Sequence, residues 1–114
     1  MVVNKPTRYY SSRQEKAVAK AVNGKKTANS GAALFCAGDV VSKDVLYECK
    51  TVTKESGSFS VKKRVLDKAR QEAFAMNKRH AVLVFNFKPD GEMYYVLDQK
   101  HYLELLESIH NSEK

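Results

Sequence analysis

Three residues, Asp39, Glu48 and Lys50, have the types and the spacing needed to hold a cation beside a phosphate group. Asp39 follows a glycine at the start of a predicted strand, and nine positions later Glu48 and Lys50 flank one residue of the next strand. Because side chains alternate along a strand, Glu48 and Lys50 are expected on one face. If the two strands form an antiparallel hairpin, Asp39 approaches Glu48 from the neighbouring strand. The sequence therefore predicts two carboxylates and an amine side by side.

This set of groups suits the hydrolysis of a phosphodiester bond. Two carboxylates supply the hard oxygen ligands that Mg²⁺ prefers, and the ion shares its remaining positions with water and phosphate oxygens. Such an ion polarises the phosphate and lowers the pKa of a bound water. Lys50 can orient that water or neutralise the charge that grows on the phosphate. The backbone carbonyl of Cys49 is expected to complete the metal ligands.

The alternative interpretation of Glu48 and Lys50 is an ordinary ion pair on a solvated strand, which contributes less than about 1 kcal/mol. The neighbouring residues Leu46, Tyr47 and Cys49 indicate instead an interior strand. A charged pair is costly in that position unless a metal ion or a network of partners compensates it.

Hydrophobic periodicity predicts the elements that must position these residues, in the order α-β-β-β-α-β-β-α. Ser11 or Ser12 is the predicted N-cap of the first helix, and Asn23-Gly24 is its predicted end. Residues 25–31 are predicted as a basic loop, and the apolar strand at 80–87 is expected in the middle of a sheet. The predicted helices cover 12–22, 59–77 and 99–109, and the predicted strands cover 32–36, 39–42, 45–52, 80–87 and 92–97.

Length and charge restrict the classes of protein to which the chain can belong. Its 114 residues fit one domain, 1–114, with 1–10 predicted as a flexible arm and 110–114 as a flexible tail. The formal net charge of +7 suits a polyanionic partner. The two cysteines form no zinc or disulfide pattern, and no apolar leader or membrane span is found. These features predict a cytoplasmic protein that uses neither a membrane nor an organic cofactor.

The residues Asp39, Glu48 and Lys50, after a helix with Glu15 and before a long basic helix, resemble the motif of the PD-(D/E)XK nuclease superfamily. The resemblance covers about Gln14 to Phe87, with a glycine in place of the proline of the motif. Within the superfamily, the chain is similar to archaeal and phage Holliday junction resolvases in the segments Asn29-Ser30-Gly31-Ala32, Ala37-Gly38-Asp39-Val40 and Tyr47-Glu48-Cys49-Lys50-Thr51.

This resemblance implies a fold and a set of roles. The implied fold is an α/β restriction-endonuclease-like core, in which helices flank a central mixed sheet. Asp39, Glu48 and Glu15 are expected to bind Mg²⁺, or Mn²⁺ in its place, and Lys50 is expected to assist the attacking water. The further candidates for catalysis or substrate contact are Ser30, in the loop before the strands, and Lys68 and Gln71, in the basic helix.

Basic residues in the loops and helices predict contacts with DNA phosphates, which give affinity without sequence readout. A solvated surface is the alternative for each of them. The segment from Arg8 to Arg13, with Tyr9 and Tyr10, is predicted to act as a mobile arm, and disorder is the alternative there. The candidate DNA-binding residues are Arg8, Arg13, Lys25, Lys26, Lys54, Lys62, Lys63 and Arg64.

The leading hypothesis is a Mg²⁺-dependent endonuclease that resolves four-way DNA junctions in recombination and repair. A junction has two equivalent strands to cut, so a homodimer with paired sites is expected, joined through the apolar strand and helix at the C-terminal end. Two alternatives stay open. One is a restriction-like, repair or nicking nuclease of the same superfamily that acts on linear duplex or flap DNA. The other is a non-catalytic basic DNA-binding module in which Glu48 and Lys50 form a structural pair.

Overall fold

The computed structural model describes residues 5–27 and 39–113, in which helices flank a mixed β-sheet. This architecture confirms the predicted α/β class with a mixed sheet flanked by helices. None of the helices in these two ranges is long and apolar enough to cross a membrane. The elements are α1 (Thr7–Ala21), β1 (Lys25–Lys26), β2 (Val40–Val41), β3 (Val45–Cys49), α2 (Lys63–Ala75), β4 (His80–Phe85), β5 (Tyr94–Val96) and α3 (Gln99–Ser112).

The strands lie in the order β1-β2-β3-β4-β5, so that β3 occupies the centre of the sheet. Strands β3 and β4 are parallel and are joined through α2, while the other neighbouring pairs are antiparallel. The predicted hairpin is present, since Val40 pairs with Tyr47 across β2 and β3. Asp39, which precedes Val40, therefore lies beside the end of β3 that carries Glu48.

The two faces of the sheet are covered by different helices. On one face, Val18 of α1 packs against Tyr47 and Cys49 of β3 and against neighbouring valines of β2 and β4. On the other face, Leu46 of β3 packs against the buried alanines of α2. Because side chains alternate, Glu48 shares the α2 face with Leu46. Apolar side chains therefore cover both faces of β3, and polar groups lie at its carboxyl end.

The helix starts differ from the sequence-based prediction. Helix α1 begins at Thr7, and the predicted serine cap is wrong, because Pro6 precedes the helix and its carbonyl accepts the N–H of Tyr9 at 2.9 Å. Proline has a fixed φ and no N–H, which suits the start of a helix. The hydroxyl of Ser11 bonds the carbonyl of Arg8 inside the helix. The predicted arm from Arg8 to Arg13 is therefore helical.

The other boundaries shift for tertiary reasons. Helix α2 begins at Lys63 rather than at residue 59, because Phe59 is in a loop where it stacks on Phe85 of β4. Helix α3 continues to Ser112, through part of the predicted flexible tail. The end of α1 agrees with the prediction, since Asn23 takes a φ of 55° and the N–H of Gly24 bonds the carbonyl of Ala19.

The strands follow the predicted succession of element types, but not with the same segments. The first strand is Lys25–Lys26, inside the predicted basic loop, and it pairs with β2. The predicted strand at 32–36 lies outside the described residues. Strand β4 is interior but second from the edge, and β3 takes the middle place because β2 and β4 pair with its two sides.

Candidate active site

Backbone hydrogen bonds hold Asp39 at the end of β3. Its N–H donates to the carbonyl of Tyr47 at 2.9 Å, and its Oδ2 accepts the N–H of Cys49 at 2.8 Å. An N–H that bonds a carboxylate makes a strong, directional contact. The carboxylate of Asp39 is therefore aimed along the edge of β3, next to Glu48.

Glu48 is partly buried, and its pKa is raised from its ordinary value to about 7. Burial is the largest cause, followed by the negative charge of Asp39, while Lys50 acts in the opposite direction. A hydrogen bond between the two carboxyl groups and the charge of Glu72 raise the pKa further. Two carboxylates that share a site resist joint ionisation unless a cation is added. The pair therefore carries more negative charge than its protein surroundings neutralise.

A third carboxylate approaches from α1. Burial raises the pKa of Glu15, and the charge of Asp39 raises it further. Lys26 of β1 opposes this effect, with its Nζ 3.7 Å from Oε1 of Glu15. Glu15 thus lies near Asp39 and is shared between the acidic pair and a surface lysine.

The thiol of Cys49 is a buried structural group. Its pKa is raised well above the usual range, first by burial and then by the charges of Asp39, Glu15 and Glu48. A protonated thiol is a poor nucleophile and a poor metal ligand. What residue 49 can offer the site is its backbone. Since its N–H points to Asp39, and the N–H and C=O of an extended residue point to the same side, its carbonyl also faces the acidic pair.

Lys50 extends this site toward a cavity. Its N–H donates to the carbonyl of Val84 at 2.8 Å, and its carbonyl accepts from Nε2 of the buried Gln14 at 2.6 Å. These bonds tie the residue to both β4 and α1. Its side chain lines an open cavity of about 260 Å³ together with Phe59, Ser60, Lys62, Arg64, Val65 and Leu83.

The acidic pair has the chemistry that Mg²⁺ requires. Within residues 5–27 and 39–113, no group of three or more His, Cys, Asp and Glu side chains is arranged to hold a metal ion. Mg²⁺, however, is commonly bound through one or two carboxylates and keeps several waters. Asp39 and Glu48 supply two such carboxylates, and the carbonyl of Cys49 supplies a third oxygen. The residues present therefore fit this ion.

The sequence also predicts further candidates for catalysis or substrate contact. Lys68 and Gln71 are exposed on α2, and Ser30 lies outside the described residues. The α2 residue whose charge acts on Glu48 is Glu72, which sequence reasoning missed. Its signal in the sequence is its place between Ala69 and Ala73, the two alanines that α2 buries against the sheet. A residue beside that stripe is near the α2 face of β3.

The candidate DNA-binding residues differ in their surroundings. Several of them are paired with acids: Arg13 with Asp90 at 2.9 Å, Lys26 with Glu15 at 3.7 Å, and Lys63 with Asp67 at 2.7 Å. Lys62 and Arg64 line the cavity beside Lys50. Arg8 is exposed near the acidic groups, since its charge acts on Glu15, and Lys25 and Lys54 are exposed elsewhere on the surface.

A separate cluster joins β4 to α3. The rings of His80 and His101 are stacked, with centroids 3.9 Å apart and planes 4° apart. Nε2 of His80 lies 2.9 Å from Oε1 of Glu104, which also accepts from Arg79 at 2.8 Å. The buried Nδ1 of His101 has no hydrogen-bond partner within the part of the chain that the structure describes. Nothing in the sequence spacing of these residues predicts the stack.

No known protein family, curated protein or solved structure matches the chain. The carboxylates, the lysine and the cation-lined cavity are therefore the features that bear on its function.

Proposed function

We propose that this chain is a Mg²⁺-dependent endodeoxyribonuclease with a restriction-endonuclease-like core. The observation that carries the proposal is the meeting of Asp39 and Glu48 at the central strand, where burial and then the charge of Asp39 raise the pKa of Glu48 to about 7. Uncompensated carboxylates beside a lysine are costly to a fold, and such groups concentrate at functional sites. The mixed sheet with α2 packed behind the acidic strand supports the core assignment.

The proposed metal ligands are Asp39, Glu48 and the carbonyl of Cys49, with Glu15 binding the ion directly or orienting its water. Mg²⁺, or Mn²⁺ in its place, would supply Lewis-acid polarisation of the phosphate and a water of lowered pKa. The hydrogen bond from the N–H of Cys49 keeps Asp39 oriented. The ammonium group of Lys50 positions the attacking water and balances the negative charge of the pentacovalent phosphate. The leaving 3′ or 5′ oxygen takes a proton from solvent.

The proposed substrate is branched DNA, and a four-way junction in particular, cut by a homodimer. Helix α3 supports the dimer, because an unusual number of large apolar side chains are exposed along it. Contiguous apolar surface of this kind marks association sites, and a helix of this length is marginal unless its apolar face is packed. The exposed apolar residues of α3 are Tyr102, Leu103, Leu105, Leu106 and Ile109.

Cleavage assays with Asp39→Asn test the enzymatic part of this proposal. Labelled four-way junction, flap and linear duplex are incubated with wild type, with the variant and with Asp44→Asn, each with and without Mg²⁺. Asp39→Asn should lower the rate at least about 100-fold, because metal catalysis contributes several kcal/mol. Asp44 is exposed in the turn between β2 and β3, so its variant removes the same charge and should cut normally.

The pattern of products separates the competing functions. Junction cleavage in preference to duplex supports the resolvase. Preferential cutting of flap or linear duplex would assign the chain to another nuclease function of the superfamily. Absence of Mg²⁺-dependent cleavage on all three substrates, with DNA binding retained, would leave a non-catalytic binding module.

A further inference from the structure

An aromatic cluster borders the cavity that Lys50 lines. Phe59 stacks on Phe85, with ring centroids 4.3 Å apart and planes 9° apart. Phe85 in turn contacts Phe87 and Tyr94 at centroid distances of 5.3 Å and 5.5 Å. In the β3–β4 register, Cys49 pairs with Val84, so that Lys50 and Phe85 are the next residues on the two strands. The aromatic cluster thus lies directly beside the candidate active site.

The cavity itself is lined by cations and a hydroxyl. Lys50, Lys62 and Arg64 contribute positive charge and Ser60 contributes a hydroxyl, while none of its described lining residues is acidic. Lys63, which lies between Lys62 and Arg64 in the sequence, does not line the cavity and forms an ion pair with Asp67. The positive charge around the cavity is therefore a local arrangement and not a uniformly basic helix end.

These two features recognise different parts of one nucleotide. Ammonium, guanidinium and hydroxyl groups bind phosphate oxygens. The ring of Phe59 lines the same cavity and is backed by Phe85, which gives it a rigid support for stacking. Nucleobases stack on aromatic side chains with little dependence on sequence. In a continuous duplex, both faces of each base are already covered by neighbouring bases, so only an unpaired base has a face to offer.

We propose that this cavity, formed by Lys50, Phe59, Ser60, Lys62 and Arg64, binds an unpaired nucleotide of a DNA strand. Lys62, Arg64 and Ser60 hold its phosphate, and its base stacks on Phe59. The proposal deepens the proposed function and rests on it for the identity of the strand, since Lys50 belongs to both sites. Base stacking is interrupted at a branch point, and opening of the pair there leaves a base with a free face, so the cavity gives the enzyme a means of selecting branch points over linear duplex.

Binding experiments without divalent metal test this cavity separately from cleavage. Fluorescence anisotropy measures the affinity of the full chain, in EDTA, for a labelled oligothymidylate and for a blunt duplex of equal length. Affinity is measured over a series of salt concentrations. Each lost phosphate contact on a single strand reduces the magnitude of the negative slope of log K against log salt by about 0.7. Lys62→Gln and Arg64→Gln should each reduce the magnitude of the slope by about this amount. Lys63→Gln is the matched control: the sequence makes Lys63 a candidate for DNA contact, but its ammonium group is paired with Asp67 and it does not line the cavity, so the slope should be unchanged.

Substitutions of Phe59 test base stacking. Phe59→Leu should weaken binding of the oligothymidylate at least about fivefold with an unchanged salt slope, because one stacked base is lost. Phe59→Tyr keeps the ring and should bind as wild type does. Thermal unfolding of both variants controls for the loss of the Phe85 contact. If Phe59→Leu unfolds, the affinity of wild type for oligothymidylate is compared with that for an abasic oligonucleotide of equal length, and equal affinities would contradict stacking.

Two results would overturn the proposal. One is an equal change of slope for Lys63→Gln and Arg64→Gln, which would indicate a diffuse basic surface. The other is equal affinity of folded Phe59→Leu and wild type for the oligothymidylate. Because no cleavage is measured, a failure of this proposal leaves the Asp39→Asn result standing, and binding without any Mg²⁺-dependent cutting would refute the nuclease alone.

Discussion

At the scale of single residues, the site is defined by charges that the fold brings together at a cost. Burial and the charge of Asp39 raise the pKa of Glu48 to about 7, so folding opposes the ionisation of this carboxyl group. In the unfolded chain Glu48 ionises near its ordinary pKa. The folded state therefore loses stability as the pH rises from about 4.5 to about 7, and above that range the loss is complete.

Glu48→Gln tests this balance, because it keeps the size of the side chain and removes the charge. In metal-free buffer at pH 8, the free energy of unfolding should increase by about 1 to 3 kcal/mol relative to wild type. At pH 4, where Glu48 is protonated in both states, the two proteins should converge. Urea unfolding followed by circular dichroism at the two pH values measures this difference. A variant that is less stable than wild type at pH 8 would contradict the raised pKa.

At the scale of elements, the central strand is the part that sequence predicts best. The alternation of Tyr47, Glu48, Cys49 and Lys50 predicts which face each side chain takes, and the packing of Tyr47 and Cys49 against α1 agrees with it. Strand alternation is a short-range property, so five residues are enough to express it. Predicting the hairpin also succeeds, since turn residues separate β2 from β3 by only a few positions.

What the sequence does not predict depends on contacts between distant segments. Periodicity predicts too early a start for α2, because Val61 continues the helical spacing of the apolar side chains of α2. The position of the preceding Phe59 is decided by Phe85, which follows much later in the chain. The role of Glu72 is not predicted for the same reason, since its effect on the pKa of Glu48 depends on how α2 packs on β3. The two-residue strand β1 carries no hydrophobic pattern, and only its pairing with β2 defines it.

The histidine stack is the contact between β4 and α3 for which a pH effect is expected. His101 is 7% exposed, and its pKa is lowered first by burial and then by the charge of His80, against the opposing charges of Asp98 and Glu104. Arg79 forms an ion pair with the same carboxylate of Glu104. A histidine with a lowered folded pKa binds its proton more readily in the unfolded chain, so stability is lost as the pH falls below about 6.5.

His101→Phe should remove this pH dependence while keeping a ring against His80. Between pH 7 and pH 5, the melting temperature of wild type should fall several degrees further than that of the variant. Differential scanning calorimetry at the two pH values, with both proteins in the same salt, gives the comparison. Equal decreases in the two proteins would mean that groups other than His101 carry the acid sensitivity.

At the scale of the whole molecule, the proposed dimer depends on the apolar side chains of α3. Leu106→Glu places a charge among them, since Leu106 is 43% exposed. Light scattering after size exclusion at micromolar concentration should give a dimer for wild type and a monomer for this variant. The variant should then nick one strand of a junction without the paired second cut. Phe74→Glu is the control, because Phe74 is 86% exposed and belongs to α2 rather than to α3, and its variant should remain dimeric. A monomeric wild type would contradict the junction resolvase.

The hydrogen bond from the backbone of residue 49 to Asp39 has a consequence for how the protein can evolve. A main-chain donor is supplied by every amino acid except proline, so the orientation of Asp39 is insulated from the identity of the side chain at that position. The size of the side chain at residue 49 is limited by the space between β3 and α1. Relatives of this chain can therefore diverge there among small apolar residues and still present the same acid to a substrate.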